Sequence, residues 1–147
     1  MGGASKFNWC FIGAGKLANI VAKAILPAGR HGIAAVYTRS LQKCRDFADR
    51  YGGVACGSAE DAICAPDVDG VYIATPHNSH YQYARLALSL GKPVLCEKPI
   101  TVTAREAEEL FSLAQVLFFS CRQPGQAGAE GRERRGIQSG WRLSQRV

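Results

Sequence analysis

Phe7-Asn8-Trp9-Cys10-Phe11-Ile12-Gly13-Ala14-Gly15-Lys16-Leu17-Ala18 decides how the rest of the chain is read. Phe7–Ile12 is a short apolar run stopped by glycine, the pattern of a buried strand. Leu17, Ile20, Val21, Ala24 and Ile25 then recur at helical spacing until Pro27 and Gly29. Between strand and helix lies Gly-x-Gly-x-x-Ala. Gly13 permits the tight turn, Gly15 lets a pyrophosphate approach the backbone, and the small Ala18 lets helix and strand pack closely. The first helical N–H groups, near Lys16 and Leu17, then face an anion. The plain alternative is a tight turn that holds nothing.

The same alternation continues. Strands are expected at Ile33–Thr38, near Val54–Cys56, at Gly70–Thr75, Pro93–Cys96 and Val116–Ser120. Helices are expected on the Leu41–Tyr51 face, after the Ser58/Asp61 pair, over 79–90, and from a Thr103/Glu106 capping box to about Ala114. Short buried strands alternating with amphipathic helices predict an α/β fold, a doubly wound parallel sheet of the Rossmann type.

Composition narrows the class. The chain has 147 residues, 47% hydrophobic and 20% charged, with a net charge of +6. That suits an ordinary globular domain. No stretch approaches the roughly 20 apolar residues of a membrane span, and no secretory leader fits. Six cysteines at irregular spacing, without a Cys-x-x-Cys, argue against a zinc site and read as reduced thiols. The expected location is cytoplasmic, with no membrane partner and no metal. Residues 1–121 carry 12 basic and 10 acidic side chains, whereas 122–147 carry six Arg and two Glu. The basicity belongs mostly to the tail, so no nucleic-acid partner is expected. Residues 121–147, with five Gly, four Gln and no Lys, are expected to be a disordered low-complexity segment following a domain over 1–120.

Cofactor choice turns on the end of the second strand. An NAD site usually places an acid about 20 residues past the fingerprint. Here stand Thr38-Arg39-Ser40, and the next carboxylate is Asp46. Arg39 can pair a 2′-phosphate, with the Thr38 and Ser40 hydroxyls donating to it, so NADP is favoured over NAD. Alternatively Arg39 is a solvated loop charge and Ser40 a helix cap. The missing acid also weakens a methyltransferase reading. A short-chain dehydrogenase would need Tyr-x-x-x-Lys, and no tyrosine at 37, 51, 72, 81 or 83 has lysine four residues later.

Two further strand ends carry reactive groups: Thr75-Pro76-His77-Asn78-Ser79-His80 and Glu97-Lys98-Pro99. The histidines are ligand contacts, or else helix-start or packed side chains. Lys98 can donate to a substrate oxygen and relay a proton, and Glu97 can accept from ribose hydroxyls. Alternatively the two form a surface ion pair.

Together Gly-Ala-Gly-Lys-Leu-Ala (13–18), Asp-Gly-Val-Tyr-Ile-Ala-Thr-Pro-x-x-x-His (69–80) and Gly-Lys-Pro-Val-Leu-Cys-Glu-Lys-Pro (91–99) resemble the glucose-fructose oxidoreductase/inositol dehydrogenase (Gfo/Idh/MocA) family. The resemblance spans roughly residues 6–120, the family's cofactor domain, and lies closest to the dimeric dihydrodiol dehydrogenase branch, which uses NADP. It implies that Lys98 is the catalytic lysine and that Glu97 lies near the nicotinamide ribose. It also implies that Thr75, Pro76 and Asn78–His80 line the dinucleotide, and that a cis peptide precedes Pro99. The implied reaction is hydride transfer between NADP(H) and a hydroxyl- or carbonyl-bearing carbon of a small-molecule sugar, polyol or cyclic diol. Family members continue into a substrate domain that commonly supplies the dimer interface. The Arg/Gly/Gln bias after Ser120 instead suggests a truncated or frameshifted product with impaired turnover. A non-catalytic dinucleotide-binding or interaction module is the other expectation.

Overall fold

The computed structural model describes residues 5–120; the expectation for 121–147 lies outside them. Five strands form one parallel sheet in the order β3-β2-β1-β4-β5. They are β1 (Phe7–Ile12), β2 (His31–Tyr37), β3 (Val54–Ala55), β4 (Gly70–Ile73) and β5 (Val94–Cys96). The helices are α1 (Lys16–Ile25), α2 (Leu41–Tyr51), α3 (Ala59–Ile63), α4 (His80–Ser89) and α5 (Ala104–Ser120).

Strand alternation sorts the core into two layers. Phe11, Val36 and Tyr72 face one side, where they pack with Ala18 and Ala22 of α1 and Cys44 and Phe47 of α2. Cys10, Ile12, Val71 and Ile73 face the other, against Ala59, Ala62 and Ile63 of α3, Ala84 and Ala87 of α4, and Leu110 of α5. Alanine recurs where α1, α3 and α4 cross the sheet, so those backbones approach closely, as the small residue at position 18 predicted.

Local chemistry sets the helix starts. Ser40 Oγ accepts from Lys43 N–H at 3.4 Å and Ser58 Oγ from Asp61 N–H at 3.1 Å. The Thr103/Glu106 capping box forms in both directions: Glu106 N–H donates to Thr103 Oγ1 (3.3 Å) and Thr103 N–H to Glu106 Oε2 (3.2 Å). α4 and α5 are joined through Glu109, which accepts from Tyr81 Oη at 2.6 Å and Arg85 Nε at 2.9 Å.

One expectation is corrected. Val116–Ser120 is not a strand but the last turn and more of α5, which runs unbroken from Ala104. A short apolar run fits either period, and no glycine or proline separates it from the helix before it.

Candidate functional site

β1 and β4 are neighbours, yet their crossovers leave on opposite faces of the sheet: α1 packs on one side, α3 and α4 on the other. The loops at their carboxyl ends therefore diverge and leave a crevice between them. A cleft of about 460 Å³ occupies that place. Gly13, Ala14 and Gly15 line it from β1; Thr38 and Arg39 from β2; Thr75, Pro76 and Asn78 from β4. These eight residues were all singled out from sequence.

The glycine turn is built for close approach. Gly13 has φ +107°, and a Cβ there would sit 2.7 Å from the Ala74 carbonyl oxygen. It is held by Gly13 N–H donating to Tyr37 O (2.7 Å), while Ala74 N–H donates to Ile12 O (2.9 Å). Gly15 differs: a Cβ would meet no protein atom within 4 Å, because that side is open cleft. It precedes a ten-residue helix that no side chain caps and whose first turn holds no acidic residue. The Asn19 amide donates to Gly15 O (2.8 Å) and Ala14 O (3.3 Å), and its Oδ1 accepts from Arg50 Nη1 (2.9 Å) and Tyr51 Oη (3.0 Å). The loop carbonyls are thus tied towards α2, and the helix N-terminus remains for an anion. A dinucleotide fits on that observation: a cradle that a Cβ at Gly15 would fill, at an uncapped helix start.

The other proposed residues are placed differently. Lys16 lines a shallower groove of about 250 Å³ that shares Ala14, Gly15 and Lys43 with the cleft. Leu17 is exposed and Ala18 is buried under the sheet. Ser40 caps α2 and does not line the cleft. His77 is exposed. His80 is 1% exposed, and its ring is held at both nitrogens, by Pro99 O and Thr75 O, each at 2.7 Å. At the end of β5, Glu97 is half-buried and Lys98 exposed. The Lys98–Pro99 peptide is cis, as the resemblance implied. Tyr72 Oη donates to Glu97 Oε1 at 2.6 Å. Burial first, then the Glu97 carboxylate, push the Tyr72 phenol well above its usual range, so it stays a donor.

Sequence reasoning missed several side chains at the cleft and its adjoining groove. Lys43 lines both the cleft and the groove. Its signal was available: three residues past a capping Ser40, it returns to the helix start. Asn19 and the edge-to-face pair Tyr37–Tyr83, with ring centroids 6.2 Å apart, carried no motif. Cys44 does further work: Thr38 N–H lies 3.0 Å from its Sγ, which fixes the backbone just before Arg39.

A parallel sheet of this order, with a glycine turn opening its first helix at the switch point, defines a Rossmann-type nucleotide-binding domain. Residues 7–117 match the Gfo/Idh/MocA family, described as an oxidoreductase family with an NAD-binding Rossmann fold, and the chain belongs to it. A trans-1,2-dihydrobenzene-1,2-diol dehydrogenase of Xenopus tropicalis is 36% identical over 111 residues, 74% of this chain and 34% of that one. A D-xylose 1-dehydrogenase (NADP(+)) of Hypocrea jecorina is 44% identical over 91 residues, 58% of this chain and 23% of that one. Among solved structures, a 3-ketoreductase from Actinomadura kijaniata in complex with NADP and TDP-benzene aligns with a TM-score of 0.73 at 28% identity, over 77% of this chain and 35% of that one. The chain spans about a third of the length of the dihydrodiol dehydrogenases it matches. Among the described residues no helix is long and apolar enough to cross a membrane, and no cluster of His, Cys, Asp or Glu is arranged to hold a metal ion.

Proposed function

We propose that this chain is the NADP-binding part of an oxidoreductase that moves hydride between the cofactor and a hydroxyl- or carbonyl-bearing carbon of a sugar, polyol or cyclic diol. One observation carries the choice of NADP. The cleft wall next to the glycine turn is Thr38, Arg39 and Lys43, and no acidic residue lines the cleft. Two cations without a carboxylate suit a 2′-phosphate and would leave a bare 2′-hydroxyl without its usual acceptor.

The roles follow from placement. The α1 start and Gly15 would hold the pyrophosphate, and Arg39 and Lys43 the 2′-phosphate. Asn78, Thr75 and Pro76 would form the opposite wall. A nicotinamide bound there supplies or takes a hydride at C4. Glu97, steadied by Tyr72, accepts hydrogen bonds from a ribose hydroxyl. Lys98 at the end of β5 donates to the substrate oxygen and passes the proton that accompanies hydride transfer. The substrate pocket and partner subunits are expected from the part of the relatives that this chain does not span.

Calorimetric titration of NADPH and NADH into the full chain tests this. Tighter NADPH binding is expected. Arg39→Ala and Lys43→Ala should each weaken NADPH by about 10- to 100-fold, the worth of a charge-assisted hydrogen bond, and leave NADH unchanged. Equal affinities would overturn the 2′-phosphate reading. Binding of neither nucleotide by folded protein would overturn the cofactor reading.

A further inference from the structure

His80 is the first residue of α4 and the one buried polar side chain of the described core. Its ring lies between two backbone carbonyls. Nδ1 is 2.7 Å from Pro99 O, in the turn after Lys98, and Nε2 is 2.7 Å from Thr75 O, in the cleft wall. Both partners are carbonyl oxygens, so flipping the ring leaves the same two contacts, and both distances are those of hydrogen bonds.

We propose that His80 is a positioning residue: a strut, held at both ring nitrogens, that fixes the Glu97-Lys98-Pro99 turn against the Thr75–Pro76 wall. It does not touch cofactor or substrate. It sets where the end of β5 stands relative to the end of β4, five strand-end residues from two loops being joined through one ring. Its consequence for catalysis rests on the reading of Lys98 above, but the strut itself does not.

The arrangement has a chemical logic. The ladder bond from Glu97 N–H to Ile73 O (3.0 Å) is the last backbone link between β4 and β5, and beyond it the two chains part. Ser79 Oγ, 2.8 Å from both Thr75 Oγ1 and Pro76 O, braces the β4 loop within itself but not to β5. The His80 ring supplies the cross-link from a rigid helix start.

The test uses the full chain labelled with 15N-histidine. Only three histidines are present, so the ring spectrum is simple. One ring should show a slowly exchanging N–H, and His80→Asn should remove that signal. A His80 ring with no protected N–H would overturn the strut. Two variants then separate the ends. The Asn amide reaches where Nδ1 stood and the Gln amide where Nε2 stood. Hydrogen exchange read by mass spectrometry should therefore loosen residues 74–79 in His80→Asn and 96–101 in His80→Gln. Equal loosening of both segments in both variants would overturn the strut. If neither variant folds, His31→Gln and His77→Gln assign the wild-type ring by elimination, and its spectrum decides. NADPH titration of the wild type runs alongside. Failure to bind would sink the cofactor reading and leave the ring spectrum untouched, so the two failures are distinguishable.

Discussion

The two glycines of the first turn look alike in sequence and should behave oppositely when each is replaced by alanine. At Gly13 the backbone has φ +107°, and the new Cβ would stand 2.7 Å from Ala74 O and 2.8 Å from Ala74 C. Left-handed backbone at a residue with a side chain costs about 1–3 kcal/mol. Overpacking against main chain that is itself hydrogen-bonded to Ile12 costs about 1–3 kcal/mol more. The sum is about 2–6 kcal/mol, a fall in melting temperature of roughly 10–25 °C for a domain of this size. At Gly15, φ is −79° and ψ −170°, which alanine adopts freely, and its Cβ meets nothing. Lower unfolded-state entropy gives back about 0.4–1 kcal/mol, and the poorer helix cap takes away a similar amount. Gly15→Ala should therefore melt within a few degrees of wild type but lose NADPH affinity by tenfold or more, because the methyl group fills the cradle. Scanning calorimetry with and without NADPH reads both. A Gly13→Ala protein as stable as wild type would refute the steric reasoning. A Gly15→Ala protein that binds normally would refute the placement of the pyrophosphate.

Other expectations are simpler to check. Tyr72→Phe removes the donor to Glu97 and should cost about 1–2 kcal/mol in urea denaturation; a cost near zero would mean the bond carries no net stability. From neutral pH, stability should hold to about pH 9 and fall above it. Burial pushes the Cys10 thiol up to about 12 and, with Glu97 adding, the Cys96 thiol up to about 11. The unfolded thiols ionise near 9.0, so unfolding is favoured as pH rises from there towards the folded values, by up to about 1.4 kcal/mol per pH unit for Cys10. Cys10→Ala should flatten that slope in denaturation curves measured near pH 8 and pH 10, and an unchanged slope would show that Cys10 is not its source.

Much of this architecture was legible because its determinants are local. The glycine turn, the alternation of short apolar runs with helical faces, and the Thr103/Glu106 box each lie within a few consecutive residues, and each appears where the sequence put it. What was not legible depends on chain segments meeting. Tyr72 reads as one more apolar strand residue until β5 brings Glu97, 25 positions away, to its hydroxyl. Asn19 reads as an ordinary helix-surface residue until α2 brings Arg50 and Tyr51 to its side chain. The strand expected at Val116–Ser120 failed for a local reason instead: the run lacks a breaker, so α5 simply continues.

His80 shows how a motif can mark a loop and still leave one residue's role open between ligand contact and packed side chain. Its position after Thr75-Pro76 marks the loop at the switch point, and that loop does line the cleft. But a residue at a helix start can face either the crevice or the sheet edge beside it. Sequence spacing does not choose between the two. The sheet order does. β5 lies on the far side of β4 from β1, and α4 spans β4 and β5, so the first residue of α4 sits over the gap between those two strand ends. A polar side chain buried there meets the carbonyls of two diverging turns, and a ring with a nitrogen at each edge reaches both. Of the two roles open to this residue, its burial and its two carbonyl partners favour the packed one, in the frame that holds the cleft wall in place.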